Sequence, residues 1–308
     1  MGMLALAGGA WAAGHGPSVN SGKNSKKPGA QTAAAMLTEA KEGLESDYAL
    51  ALAKSLNLTD PKARADFLQQ AKEDQKDGRQ LAVDQFNARM EISKALGGGA
   101  YDPVIRPEDF VVGVTNPYFK LMPGRHFVYE KTSGTETERV EVVATSDTKV
   151  IMGVTCMVVT DTATVNGQVM EDTLDWYAQD KTGNVWYFGE LSMQYQDGEL
   201  NNLEGSWQAG VDDAKPGIVM KAQPAVDDIY RQEFSLGVAE DMSGVIGLNE
   251  TATVPYGTFN DCVKTKDYSP IDPETLEHKF FSATLGQVVL TIDTTTGDRE
   301  ELIQVTGP

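Results

Sequence analysis

EDTLDWYAQDKTGNVWYFGE, residues 171–190, alternates polar and apolar side chains on both sides of a turn. Asp180-Lys181-Thr182-Gly183 has the composition of a four-residue turn, with Gly183 free to take the positive φ that ends one. The flanking runs are rich in Trp, Tyr, Val and Phe, which favour strands. The stretch therefore predicts an antiparallel hairpin. Pairing Gln179 with Asn184 sets Tyr177 opposite Trp186 and Trp176 opposite Tyr187. Successive side chains point to opposite faces of a strand, so alternation then sorts them. One face carries Leu174, Trp176, Ala178, Val185 and Tyr187 and has the composition of a core. The other carries Asp175, Tyr177, Gln179, Asn184, Trp186, Phe188 and Glu190, too aromatic to be left wet and too polar for ordinary core.

Three uses of that mixed face compete. It is a second packing layer, with Tyr177, Trp186 and Phe188 covered by an upstream helical hairpin or by the insert at residues 205–228. Or it is a ligand surface, on which rings stack against an apolar molecule or a sugar face while amides and acids fix orientation; Tyr177, Trp186, Phe188 and the nearby Trp207 would then rim a cleft. The third use makes Asp175 and Glu190 a catalytic carboxylate pair for glycoside hydrolysis, which needs two acids flanking the scissile bond.

The same texture extends outward. Residues 111–306 alternate short runs of Val, Thr, Tyr and Phe with Gly, Asp and Asn turns, which predicts a mainly antiparallel β domain, a sandwich or a barrel. It reads as two related half-units. FVYEK (127–131), KVIMGVTCMVVTD (149–161) and DTLDWYAQDKTGNVWYF (172–188) are followed in the same order by IYRQEF (229–234), ATVPYGTFNDCVKTKD (252–267) and ETLEHKFFSATLGQVVLTI (274–292). Gly153 matches Gly257, Cys156 matches Cys262, Thr173-Leu174-Asp175 matches Thr275-Leu276-Glu277, and Gly183 matches Gly286. The insert between them, residues 205–228, is a long connection with functional potential.

Several of these pieces, VTNPYFKLMPGRHFVYE, EDTLDWYAQDKTGNVWYFGE, GVAEDM, VPYGTFNDCVKTKDYSP and EHKFF, together with the insert, resemble an uncharacterised family of exported bacterial β proteins over roughly residues 110–290. The resemblance implies export and β structure. It brings no reaction, ligand or catalytic residue.

Upstream, Leu37, Ala40, Leu44, Tyr48, Leu52 and Leu56 recur at three- and four-residue steps, one face of an amphipathic helix. Asp60-Pro61 then supplies an N-cap and a first helical residue. A second helix follows, whose polar middle contains Gly78 and invites a kink or break. Residues 32–97 thus predict a helical hairpin, bounded by a Gly- and Pro-rich linker at 98–110. LNLTDPKA resembles the Leu-x-Leu-Thr segment of small helical periplasmic stress proteins, without their Gln, which points to a structural or envelope-stress accessory acting through its helices. Residues 14–31, rich in Gly, Ser, Asn and Lys, read as a flexible linker. The opening at 1–13 is an apolar run ending in Ala10-Trp11-Ala12, a small-x-small cleavage pattern that reads as a signal-peptide remnant and predicts a periplasmic or extracellular protein.

The chain of 308 residues carries a net charge of −19. Residues 100–308 alone hold 14 Lys and Arg against 34 Asp and Glu. Such a field repels phosphate backbones and anionic lipid heads, so neither nucleic acid nor a polybasic membrane role is expected. No later segment is long and apolar enough for stable membrane insertion. Cys156 and Cys262 are the two cysteines, which form one disulfide or remain as two buried thiols. With His15, His126 and His278 the only histidines, no metal site is expected. Asp212-Asp213 and Asp227-Asp228 miss the twelve-residue calcium-loop pattern. No phosphate-cradling loop, nucleophile elbow or zinc helix is present, and no cofactor is expected. The sequence therefore predicts an exported, soluble α+β protein. Its expected role is non-catalytic binding of an apolar or glycan-like ligand, or of a partner protein, with a glycan-active hydrolase as the alternative.

Overall fold

The computed structural model describes residues 27–308 apart from Thr135. The apolar opening at 1–13 and most of the linker at 14–31 lie outside the described residues. The described chain divides into two compact units, residues 27–101 and Asp102–Pro308.

The first unit holds α1 (Pro28–Ser55) and α2 (Pro61–Ala95). Pro28 opens α1 ahead of the expected start at 32, because a first-turn residue needs no N–H. Asp60 caps α2 by accepting from the Ala63 N–H at 2.8 Å. The helix then runs through its polar middle unbroken. Gly78 serves closeness instead of a kink: a Cβ there would come within 2.5 Å of Leu44 Cδ2. Little is fully buried in this unit, with Ala30, Ala33, Ala82 and Ile92 as the apolar contribution, while Leu50, Leu52, Leu56 and Phe67 remain exposed.

The second unit is a large antiparallel sheet. Its first five long strands are β1 (His126–Ser133), β2 (Glu136–Ile151), β3 (Val154–Val165), β4 (Gln168–Asp180) and β5 (Val185–Gln196), each paired with the next. β6 (Lys215–Met220) arises from the insert and pairs with β5. Then follow β7 (Ile229–Arg231), β8 (Glu233–Phe234), β9 (Met242–Val254), β10 (Gly257–Tyr268), β11 (Leu276–Ser282), β12 (Gln287–Asp293) and β13 (Arg299–Thr306). The path runs β7-β9-β10-β11-β12-β13-β1-β2-β3-β4-β5-β6-β8. Its two ends, β7 and β8, are separated only by Gln232, so the sheet comes back to where it began and is nearly a barrel.

The two half-units are visible as the matching orders β1-β2-β3-β4-β5 and β7-β9-β10-β11-β12, with β13 joining them through β12 and β1. With Cys156 and Cys262 superposed, Asp175 pairs with Val159 where Lys279 pairs with Thr265. The counterpart of Asp175 is therefore Lys279, two residues on from the Glu277 that the sequence match suggests. A two-residue offset keeps the same face. One face of the strands is core, built around Phe127, Tyr129, Val142, Val159, Phe281 and Leu302. Along β2 the other face carries charge, with Arg139 paired to Glu141 at 2.9 Å. Among the described residues no helix is long and apolar enough to cross a membrane.

Candidate functional site

The β4–β5 turn is organised by one carboxylate. Asp180 accepts from the Thr182 N–H (2.9 Å) and hydroxyl (2.7 Å), the Asn184 N–H (3.0 Å) and amide (2.9 Å), and the Trp186 indole N–H (2.8 Å). Burial works against the charged form, yet these donors outweigh it and hold the carboxyl below its ordinary range. The resulting register is Gln179 with Val185, Ala178 with Trp186 and Tyr177 with Tyr187. It differs by one residue from the register expected from the sequence, and a one-residue shift exchanges the faces. Tyr187 therefore lies with Tyr177, their rings stacked 4.7 Å apart, and not with Trp176.

A second irregularity brings in the acids. Tyr187 and Glu190 are three residues apart, which in a regular strand would send them to opposite faces. The register shifts between Asp175 and Tyr177, so that Asp175 lies directly opposite Glu190 and the extra residue is absorbed at Phe188-Gly189. Gly189 takes φ +129°, a region favouring glycine. Tyr187 and Glu190 thus share the inward side. The Tyr187 hydroxyl is 2.5 Å from Asp175 Oδ1 and 2.8 Å from Glu190 Oε2. Asp175 is 1% and Glu190 8% exposed. The phenol has a single proton to donate, so satisfying both contacts requires one carboxyl to bring its own.

Electrostatics agree with that count. Burial, then the neighbouring Asp175, pushes Glu190 up to about 8. Burial likewise raises Asp175, with Asp161 and Glu171 adding to it. Glu171 lies further along the same face of β4, accepting from Ser192 Oγ at 2.6 Å and Thr173 Oγ1 at 3.2 Å. Glu233 is raised by burial, then by Asp241 and Glu190, and burial takes Asp241 to about 6.

Trp207 closes the cluster. It sits on a two-residue strand, Trp207–Gln208, that pairs Trp207 with Glu190 and Gln208 with Gly189. Opposed residues of an antiparallel pair project to the same side, which puts the indole on the face of Glu190. Its ring meets Tyr187 edge-on at 5.5 Å. The strand lies so close to β5 that a Cβ on Gly189 would be 2.3 Å from the Trp207 carbonyl oxygen. Gly205 and Gly210, both at positive φ, bracket this strap. Trp207 is 6% exposed and its indole N–H is buried without a hydrogen-bond partner.

Of the residues singled out in the sequence, Asp175, Glu190, Tyr177 and Trp207 come together. Trp186 and Phe188 do not join them: they pack against Phe110, with ring centres at 6.3 and 5.5 Å, away from the acid pair. The four aromatic residues are thus divided between two faces instead of rimming one cleft. Cys156 and Cys262 are two separate buried thiols with no bond between them. His126 lies 3.0 Å from Glu141, and His278 sits on β11 between Lys266 and Ile292. Sequence reasoning missed Tyr187, Glu233 and Lys279. Lys279 holds Glu277 at 3.3 Å and Asp267 at 3.5 Å in the second half-unit. The one available signal for Tyr187 was Gly189, since a glycine inside a strand marks a bulge.

Chemically, the cluster offers two acid groups on one phenol hydroxyl, a stacked pair of tyrosine rings with an indole edge-on to it, and one unused indole N–H. Among the described residues no group of three His, Cys, Asp or Glu side chains is arranged to hold a metal.

The fold and site define an α+β protein with a helical hairpin and a nearly closed antiparallel barrel. No family model and no curated protein matches the chain. Among solved structures it is similar to a "putative lipoprotein" from Parabacteroides distasonis ATCC 8503, at 12% identity and a TM-score of 0.34, over 61% of this chain and 98% of that one. A likeness of that size carries no argument about function.

Proposed function

We propose that this is an exported, periplasmic or extracellular binding protein that takes a glycan-like ligand, without chemistry, at the Tyr177–Tyr187–Trp207 cluster. The observation that carries the reading is the Tyr187 hydroxyl held between Asp175 and Glu190 beside two aromatic rings. Sugars are recognised by rings stacking on their apolar faces and by planar acids accepting from their hydroxyls. The acids favour a hydroxylated ligand over a purely apolar one, because a hydroxyl can hydrogen-bond to a buried carboxyl and an apolar group cannot. Export is supported by the apolar opening and its Ala-Trp-Ala pattern. The test is a glycan binding screen of the full chain with Trp207→Ala and Trp186→Ala variants. Loss of binding only in Trp207→Ala supports the reading, and equal loss or no binding in the wild type sinks it.

A glycan-active hydrolase is the second reading, favoured by one observation. Two carboxyl oxygens that both touch a single phenol oxygen cannot be farther apart than those two contacts together, which overlaps the spacing of about 5–5.5 Å used by retaining glycosidases. Glu190, raised to about 8, would be the proton donor and Asp175 the nucleophile. In that case Asp175→Asn abolishes turnover of an aryl glycoside while leaving binding intact. Absence of turnover in the wild type leaves the binding reading alone.

A further inference from the structure

We infer that the helical hairpin binds a small tetrahedral oxyanion, a phosphate group, between the start of α1 and the end of α2, where Lys27, Lys94 and the Ser93 hydroxyl hold it. The site lies within the first unit and is independent of the binding reading above.

The first turn of α1 meets the end of α2. The Gly29 N–H donates to the Gly98 carbonyl at 3.3 Å, and Lys27 Nζ donates to the Gly97 carbonyl at 2.9 Å. Beside these bonds is a partly open cavity of about 80 Å³, lined by Lys27, Ala30, Met90, Ser93, Lys94 and Gly98. That space exceeds what one water needs and suits a single compact anion. Two glycines shape it. A Cβ on Gly29 would fall 2.4 Å from Ser93 Oγ, and one on Gly98 would fall 2.4 Å from Lys27 Cδ. Without those side chains the hydroxyl and the lysine stem close in on the start of α1.

Two independent observations point to an anion. The first is charge. The N-terminus of a helix is its positive end, and the first turn of α1 has neither an acidic residue nor a side-chain cap. Residues 27–101 as a whole are balanced, with 10 Lys and Arg against 11 Asp and Glu. At this end, residues 27–38 and 85–101 hold Lys27, Arg89 and Lys94 against Glu91 alone. The carbonyls at the end of α2, which would repel an anion, are engaged: Ile92 accepts from the Leu96 N–H at 2.9 Å and Lys94 from the Gly97 N–H at 3.2 Å.

The second observation is Ser93. It lines the cavity at 9% exposure, and among the described residues its hydroxyl has no hydrogen-bond partner. Ser55, the other buried serine of the hairpin, donates to the Leu52 carbonyl at 2.7 Å. A buried donor left unpaired costs free energy and in native structures asks for an explanation. An anion oxygen supplies one. Each ammonium has three N–H groups, of which Lys27 spends one on Gly97. Three oxygens of a tetrahedral anion can therefore each meet a different side chain, two of them through charge-assisted bonds.

The experiment is isothermal titration calorimetry of the full chain at constant ionic strength, with inorganic phosphate as the probe and acetate as a planar control. Phosphate should bind more tightly than acetate. The double variant Lys27→Gln with Lys94→Gln should weaken phosphate at least about tenfold, and Ser93→Ala, which keeps both charges, about threefold. Thermal melting in chloride checks that each variant is folded. A second arm uses phosphatidylcholine vesicles with and without phosphatidic acid. Capture by the phosphatidic acid vesicles that the double variant loses supports a phosphate carried on a lipid, while binding of free phosphate without capture supports a soluble one. Phosphate bound in neither form, acetate bound equally well, or binding unchanged in the double variant or in Ser93→Ala overturns the inference.

Discussion

At the scale of the residue, Tyr187 decides what the site can be. Its hydroxyl is the shared partner of two buried acids, so Tyr187→Phe leaves both short of a donor while preserving the ring stack on Tyr177. Loss of one partner from buried polar groups costs about 1–3 kcal/mol. Urea unfolding at constant pH should show a destabilisation in that range, and an unchanged midpoint would mean that the hydroxyl is not the bridge. Glu190 sets a pH dependence. Its folded value is raised from 4.5 to about 8, so the folded state binds the proton more tightly than the unfolded one. That contribution to stability is fully present below about 4.5, is lost progressively as pH rises to about 8, and is constant beyond. Asp241, raised to about 6, and Glu300, raised to about 7, act with the same sign. Melting temperature should therefore fall between mildly acidic and mildly alkaline pH, and Glu190→Gln should flatten the upper part of that fall. Asp175 and Glu190 were legible in the sequence as a pair on one face. Tyr187 was not, because its face depends on a one-residue register choice that composition does not encode.

At the scale of the element, the β4–β5 hairpin was legible and its register was not. Strong strand formers on both sides of Asp180-Lys181-Thr182-Gly183 announce two strands. The pairing is fixed instead by five hydrogen bonds to Asp180 and then reset by the bulge at Phe188-Gly189. The helices show the same limit. Their periodicity gave both elements, but Gly78 signals a break by propensity and a close approach to Leu44 by structure. Gly189 is where an element-scale test is sharpest. Gly189→Ala places a methyl against the backbone of the Trp207 strap, which has no flexible end to move aside, in a backbone region costly for any other residue. A cost of about 1–3 kcal/mol is expected from the conformation alone. The strap should detach, and acrylamide should quench Trp207 fluorescence more strongly than in the wild type, read against a Trp207→Phe control. Unaltered quenching would show that the strap is held by something other than its contact with β5.

At the scale of the whole molecule, the order of the two half-units was readable from the chain, while the choice between sandwich and barrel was not. The pairing that settles it joins Arg299–Thr306 to His126–Ser133, and no local pattern in either segment announces a partner so distant. The second unit has a core of its own, whose members among the described residues all lie at Val114 or beyond. Removal of residues 1–101 should accordingly leave a protein that still unfolds in one cooperative transition. A loss of cooperativity would show that the helices complete that core. The strand that joins the halves also has a kinetic consequence. Glu300 finds Lys131 only after almost all of the intervening chain has been made, and contacts so far apart in sequence are slow to form. A nascent chain that has emerged as far as Asp293 can assemble two meanders but cannot join them through β13. Joining of the halves therefore waits until β13 has been made, and the half-built sheets, with β1 and β12 still lacking their β13 partner, are the species most in need of a chaperone.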